Sequence, residues 1–167
     1  MTETRFFFPK CRMFVSILAL CALPAGLLVL PSAARAQSPD DILVVVNKSV
    51  AKTQSVSMGE LRAMYLKSRL KWADGQKVRP IHAFSDEKLR LAFNTLVLRM
   101  SLDEERAFWE EKKIKQGEVK PPAHKDPLVP VGRDTGSVGY VYRKNYREGD
   151  FRILTVIPAS PEGAVSH

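Results

Sequence analysis

Cysteine is nearly absent: Cys11 and Cys21 are the two thiols in a chain of 167 residues. Histidine occurs three times, as His82, His124 and His167, and none has a second ligand at metal-binding spacing. His124-Lys125-Asp126 comes nearest to a metal pair and reads as a surface loop. The Gly-x-Ser-x-Gly, Walker and Gly-x-Gly-x-x-Gly patterns are missing. Gly136-Ser137-Val138-Gly139 opens a strand pattern and not a helix, so it is no dinucleotide loop. Internal repeats and low-complexity tracts are lacking too. An enzyme requires a nucleophile, an acid/base pair or a metal site, and no stretch presents one as a pattern. The chain is therefore read as a non-enzyme without cofactor or metal.

What is present begins with a leader. Arg5, Lys10 and Arg12 precede an apolar stretch from Met13 to Leu30, interrupted by Pro24 and Gly26. Ala34-Arg35-Ala36 then supplies a small-x-small exit before Gln37. Charged start, apolar middle and small-residue exit predict a secretory signal peptide over 1–36, and hence a periplasmic location. The helix breakers and the Ala34/Ala36 pair argue against an uncleaved anchor. Bulky Leu20 before Cys21 argues against a lipoprotein. Cleavage leaves about 130 residues, enough for one domain with a single core. Both cysteines depart with the leader, so the rest must hold together by packing alone. The formal net charge is +8, and the remainder stays basic without the leader's four cations. Such a surface can steer anions, although solvated helix faces with a basic excess are the plainer explanation. Nucleic acid does not suit an exported protein.

After a polar tether at 37–41, Ile42 to Val46 is short, apolar and β-branched, which predicts a buried strand ending at Asn47. Ser57-Met58-Gly59-Glu60 is a capping box, and Leu61, Met64 and Tyr65 follow on one helical face, with an end near Lys67. Ala73-Asp74-Gly75-Gln76 is a turn, and Trp72 beside it is placed at the edge of the core. Val78 to Ala83 predicts a second strand, with Pro80 marking an edge or an end. Ser85 is read as the N-cap of a helix with Leu89, Ala92, Phe93, Leu96 and Met100 facing the core. Ser101-Leu102-Asp103-Glu104 is a second capping box, and Gly117 is the residue that ends its helix. The proline-rich 118–134 stretch is loop with one helical turn after Asp126-Pro127. Gly136 to Tyr142 is a turn feeding a strand, Arg152 to Ile157 is the last strand, and 158–167 is a flexible tail. The whole is α/β: a mixed sheet flanked by helices, one lobe over 42–157.

The chemistry sought in this lobe is anion binding. A helix start presents unpaired amides and a positive dipole end, so Ser85, Asp86 and Glu87 mark a candidate site. Arg90 lies about one turn along, on nearly the same side. Asp86 and Glu87 place negative charge where an anion would sit, and the plainer alternative is that Ser85 caps while the acids complement the dipole.

Four separated pieces together resemble a family. They are the apolar strand ending in Asn47, the capped helix through Leu66 leading to Lys71-Trp72-Ala73-Asp74-Gly75, the Ser85-headed helix, and Thr135-Gly136-Ser137-Val138-Gly139-Tyr140-Val141. In that order they are similar to the phosphate-type periplasmic substrate-binding proteins of ABC transporters. The resemblance implies half of a type 2 periplasmic binding fold, with a cleft near the Ser85-headed helix. It carries over Ser85 as a ligand residue, with Gly136 and Ser137 as further candidates. The small Gly and Thr of the family are Asp86 and Glu87 here, and the length suits one lobe where full members have two.

Two functions follow as expectations. The first is a single-lobe periplasmic binder of a small oxyanion such as phosphate, or an accessory of a transport system. The alternative is an interaction module contacting an envelope or transporter protein through the former cleft. No membrane span is expected after the leader.

Overall fold

The computed structural model describes residues 37–159. The leader and the tail beyond residue 159 lie outside the described residues. Six strands form. They are β1 (Ile42–Asn47), β2 (Arg79–Pro80), β3 (His82–Ala83), β4 (Ala123–His124), β5 (Ser137–Tyr142) and β6 (Phe151–Ile157). Four of them make a mixed sheet in the order β2-β5-β1-β6, with β1 antiparallel to both neighbours and β2 parallel to β5. β3 and β4 form a small parallel pair of their own.

The unbroken apolar run of β1 follows from burial on both faces. Alternate residues of a strand point to opposite sides. Ile42, Val44 and Val46 join one core with Leu61, Met64, Phe93 and Tyr140. Leu43 and Val45 join a second with Leu128, Val131 and Phe151. The first core is roofed by α1 (Met58–Tyr65) and by α2 (Glu87–Phe93), which runs on into a π-helical turn, Asn94–Leu98. The second is roofed by the short α4 (Leu128–Arg133). The longest helix, α3 (Leu102–Gln116), offers the first core little more than Phe108. Asn47 closes β1 by donating its side-chain amide to the carbonyls of Val131 and Gly132 at 2.8 and 3.0 Å, which satisfies the end of α4.

The capping boxes at Ser57–Glu60 and Ser101–Glu104 both form, and Gly117 ends α3 at φ 68°. α1 stops two residues before Lys67, which turns left-handed at φ 55°. Trp72 is buried, and its indole N–H donates to the Gly136 carbonyl at 2.9 Å.

Two expectations require correction. The strand expected over Val78–Ala83 divides. Arg79 donates to Gly136, just before β5, and Ile81 to Val138 of β5, whereas His82 and Phe84 donate to Pro122 and His124. Pro80, with no N–H to offer, sits where β2 is the edge of the large sheet, and the chain changes partners just beyond it. The second correction is the start of α2. Asp86, not Ser85, is its N-cap, accepting from the Leu89 amide at 2.9 Å. The Ser85 hydroxyl donates instead to the Lys125 carbonyl at 2.7 Å, which leaves the cap to the next residue.

Candidate functional site

The sequence-predicted residues go to three places. Ser85 and Asp86 line a hollow with Lys125, Asp126 and Arg147. The serine hydroxyl there is already engaged, the Asp86 carboxylate accepts from the Leu89 amide in the first turn of α2, and Glu87 faces solvent. Arg90 turns away from this hollow into the interior. Gly136 and Ser137 lie at the far end of β5, beside β2.

Arg90 enters a buried network that no sequence motif announced. Its Nη2 donates to both carboxylate oxygens of Glu105 at 2.7 Å, and Asn94 Nδ2 donates to Oε2 at 2.8 Å. Lys120 Nζ stands 3.3 Å from Oε1, and His82 Nε2 stands 3.5 Å from it. On its other side His82 Nδ1 is 3.1 Å from the Tyr140 hydroxyl. Glu105, Asn94 and His82 are fully buried. Burial pushes the Glu105 carboxyl up, but hydrogen bonds from Asn94 and Arg90 and the charges of Arg90 and Lys120 bring it below its usual value. Burial, reinforced by the charges of Arg90 and Lys120, holds His82 well below the ordinary histidine range, so it is neutral. Burial and the repulsion of Arg90 likewise lower Lys120, against the pull of Glu105. Chemically this is a closed circuit: the carboxylate has its full set of donors and no opening for a substrate. Its effect is mechanical. It ties α2 and the π-helical turn to α3, to β3, and to the Lys120-Pro121-Pro122 strap. The available signal was Asn94 and Glu105, polar residues on otherwise core-facing helix positions, which a buried partner must explain.

The strap forms one wall of a different feature, an open cleft of about 450 Å³ at the β2 edge. Lys67, Lys77, Arg79 and Arg133 line it, with Asp134 as the single carboxylate. Arg133 pairs with Asp134 at 2.9 Å. That hydrogen bond, aided by the charges of Arg133 and Arg79, outweighs burial and holds Asp134 below the usual carboxylate range. Lys67 donates to the Val119 carbonyl at 2.6 Å. Lys77 and Arg79 make no ion pair among the described residues.

Ser137 also lines this cleft. It is fully buried, and its hydroxyl has no hydrogen-bond partner among the described residues. Arg79 is its register neighbour in the parallel pair, so the two side chains leave the sheet on one face. The turn that puts Ser137 there demands glycine. Gly136 has φ 73°, and a Cβ on it would stand 2.3 Å from the Lys77 carbonyl. Its own amide donates to Ser49 Oγ at 3.1 Å, and its carbonyl accepts from Trp72 and Arg79. Gly136 therefore shapes the cleft, while Ser137 is the polar group left without a partner in it. Sequence reading marked Ser137 but missed Lys77 and Arg79, which only the pairing of β2 with β5 brings to it.

No protein-family model matches the chain, and no curated protein matches it. Among solved structures, the crystal structure of a possible phosphate binding protein from Planctomyces limnophilus is similar over 61% of this chain at 14% identity, with a TM-score of 0.40. The match spans 35% of that chain, so it involves well under half of the longer protein.

Proposed function

We propose that this chain is a small exported binding protein for oxyanions, and that the site is the β2-edge cleft. One observation carries the reading: Lys77 and Arg79 line the cleft with no ion pair among the described residues, and its single carboxylate, Asp134, is already paired with Arg133. A carboxylate, phosphonate or phosphate oxygen answers both cations, because guanidinium forks and ammonium groups are good donors to such groups. The Ser85 hollow is the weaker candidate. Its serine is engaged, and Asp86 and Asp126 both face it. The leader pattern supports export to the periplasm, where such a protein would serve uptake or hand its ligand to a transporter. The cleft is open and belongs to a single lobe, so binding is weak, with Kd above about 100 μM for inorganic phosphate.

The test is calorimetry with phosphate on the protein from Gln37 onward, against Arg79→Ala and Ser85→Ala. The expected result is weak binding that Arg79→Ala abolishes and Ser85→Ala leaves alone. Binding lost with Ser85 and kept without Arg79 would move the site to the other hollow.

A further inference from the structure

The cleft is far larger than its polar corner. Its volume of about 450 Å³ is the liquid share of roughly fifteen waters at ~30 Å³ each, so a five-atom oxyanion would occupy a small part of it. The volume falls instead in the range of sites that enclose small organic molecules, about 300–1,000 Å³. Apart from His124, the rest of the lining is apolar and stiff. Pro80, Pro121, Pro122 and Pro130 surround it with Val78 and Ile81. Proline rings hold their shape on ligand entry, so an apolar body meets a surface that loses little entropy on contact.

The same edge is closed to a peptide strand. Strand addition requires a row of free backbone groups. Here the Val78 amide donates to Leu70, Pro80 has no N–H, and the His82 amide donates to Pro122. The donors that would meet an added strand are engaged or missing, which leaves side-chain recognition of a small molecule.

We infer that the cleft takes an organic oxyanion, a phosphonate or carboxylate head carrying a compact apolar body, in preference to a free inorganic anion. The head lies against Lys77 and Arg79, and the body lies against Pro122 and Pro130. This inference rests on the oxyanion reading of the same cleft.

The experiment compares phenylphosphonate, inorganic phosphate and benzyl alcohol by calorimetry on the protein from Gln37 onward, at constant ionic strength. Phenylphosphonate should bind at least about tenfold tighter than phosphate, because the ring removes apolar surface from water. Benzyl alcohol, which has the ring without the charge, should not bind measurably. Arg79→Ala should weaken phenylphosphonate and phosphate alike. Pro122→Ser keeps the carbonyl that His82 uses and should erode only the phenylphosphonate advantage; its melting curve reports whether the strap survives. Equal affinity for phosphate and phenylphosphonate overturns the inference and leaves the oxyanion reading standing. Binding of benzyl alcohol as tight as phenylphosphonate, or binding of either anion unaffected by Arg79→Ala, overturns both, as does the absence of any binding.

Discussion

Two clusters of charge in this protein have opposite designs. Around Glu105 the carboxylate is answered: it gathers Arg90, Asn94 and Lys120, and neutral His82 stands beside it, its Nε2 without a hydrogen-bond partner among the described residues. Around Ser137, Lys77 and Arg79 lack counter-ions and the hydroxyl lacks a partner. In the first cluster the carboxylate is taken up by its cations, while the second is incomplete, its cations unpaired on the wall of a cleft. Burial alone does not separate them, since Glu105 and Ser137 are equally inaccessible. What separates them is whether the cations are paired: Arg90 is held on Glu105, whereas Lys77 and Arg79 make no ion pair among the described residues.

The largest effect should come from breaking the answered cluster. Glu105→Gln leaves Arg90 partly buried without its carboxylate and should cost about 3–5 kcal/mol, read by urea denaturation. A loss below 1 kcal/mol would show that water reaches the network and that the contrast is overdrawn.

Acid should attack the same cluster. His82 has a folded pKa well below its unfolded value near 6.5, so the unfolded chain binds the extra proton as pH falls. The stability this neutral histidine keeps is present above about pH 6.5 and is lost as pH drops below it, by up to about 1.4 kcal/mol per unit. The lowered Glu105 carboxyl has the same sign, with its loss beginning further down, below its unfolded carboxylate range. Urea midpoints measured from pH 7.5 to 5 should show the slope, and His82→Asn should flatten it.

Smaller changes sharpen the incomplete cluster. Ser137→Ala removes a buried hydroxyl that has no partner among the described residues and should stabilise the free protein by about 1 kcal/mol. Arg79→Ala, an exposed side chain without an ion pair, should leave stability within about 0.5 kcal/mol of the parent and remove binding. A large stability loss from either change would place the cleft with the structural cluster.

Local signals were read well because their chemistry is local. The Ser57 and Ser101 capping boxes, the Gly75 turn and the Gly117 helix end each depend on residues three or four positions apart. The β1 run announced its own double burial. Ser85 was misread because a second polar residue adjoined it, and the choice of cap was made by the Lys125 carbonyl, forty residues away. Val78–Ala83 was read as one strand because nothing in its pattern tells β5 from β4 as a partner.

By itself the sequence determined the elements, the apolar stripes that required a core, and a polar serine after a glycine turn. These are short-range matters of propensity, capping and backbone freedom. The tertiary structure alone decided that Arg90 would meet Glu105 and that Arg79 would stand beside Ser137. Each pairing depends on strand register and helix packing between distant segments, and energies of that kind exist only once the chain has closed on itself.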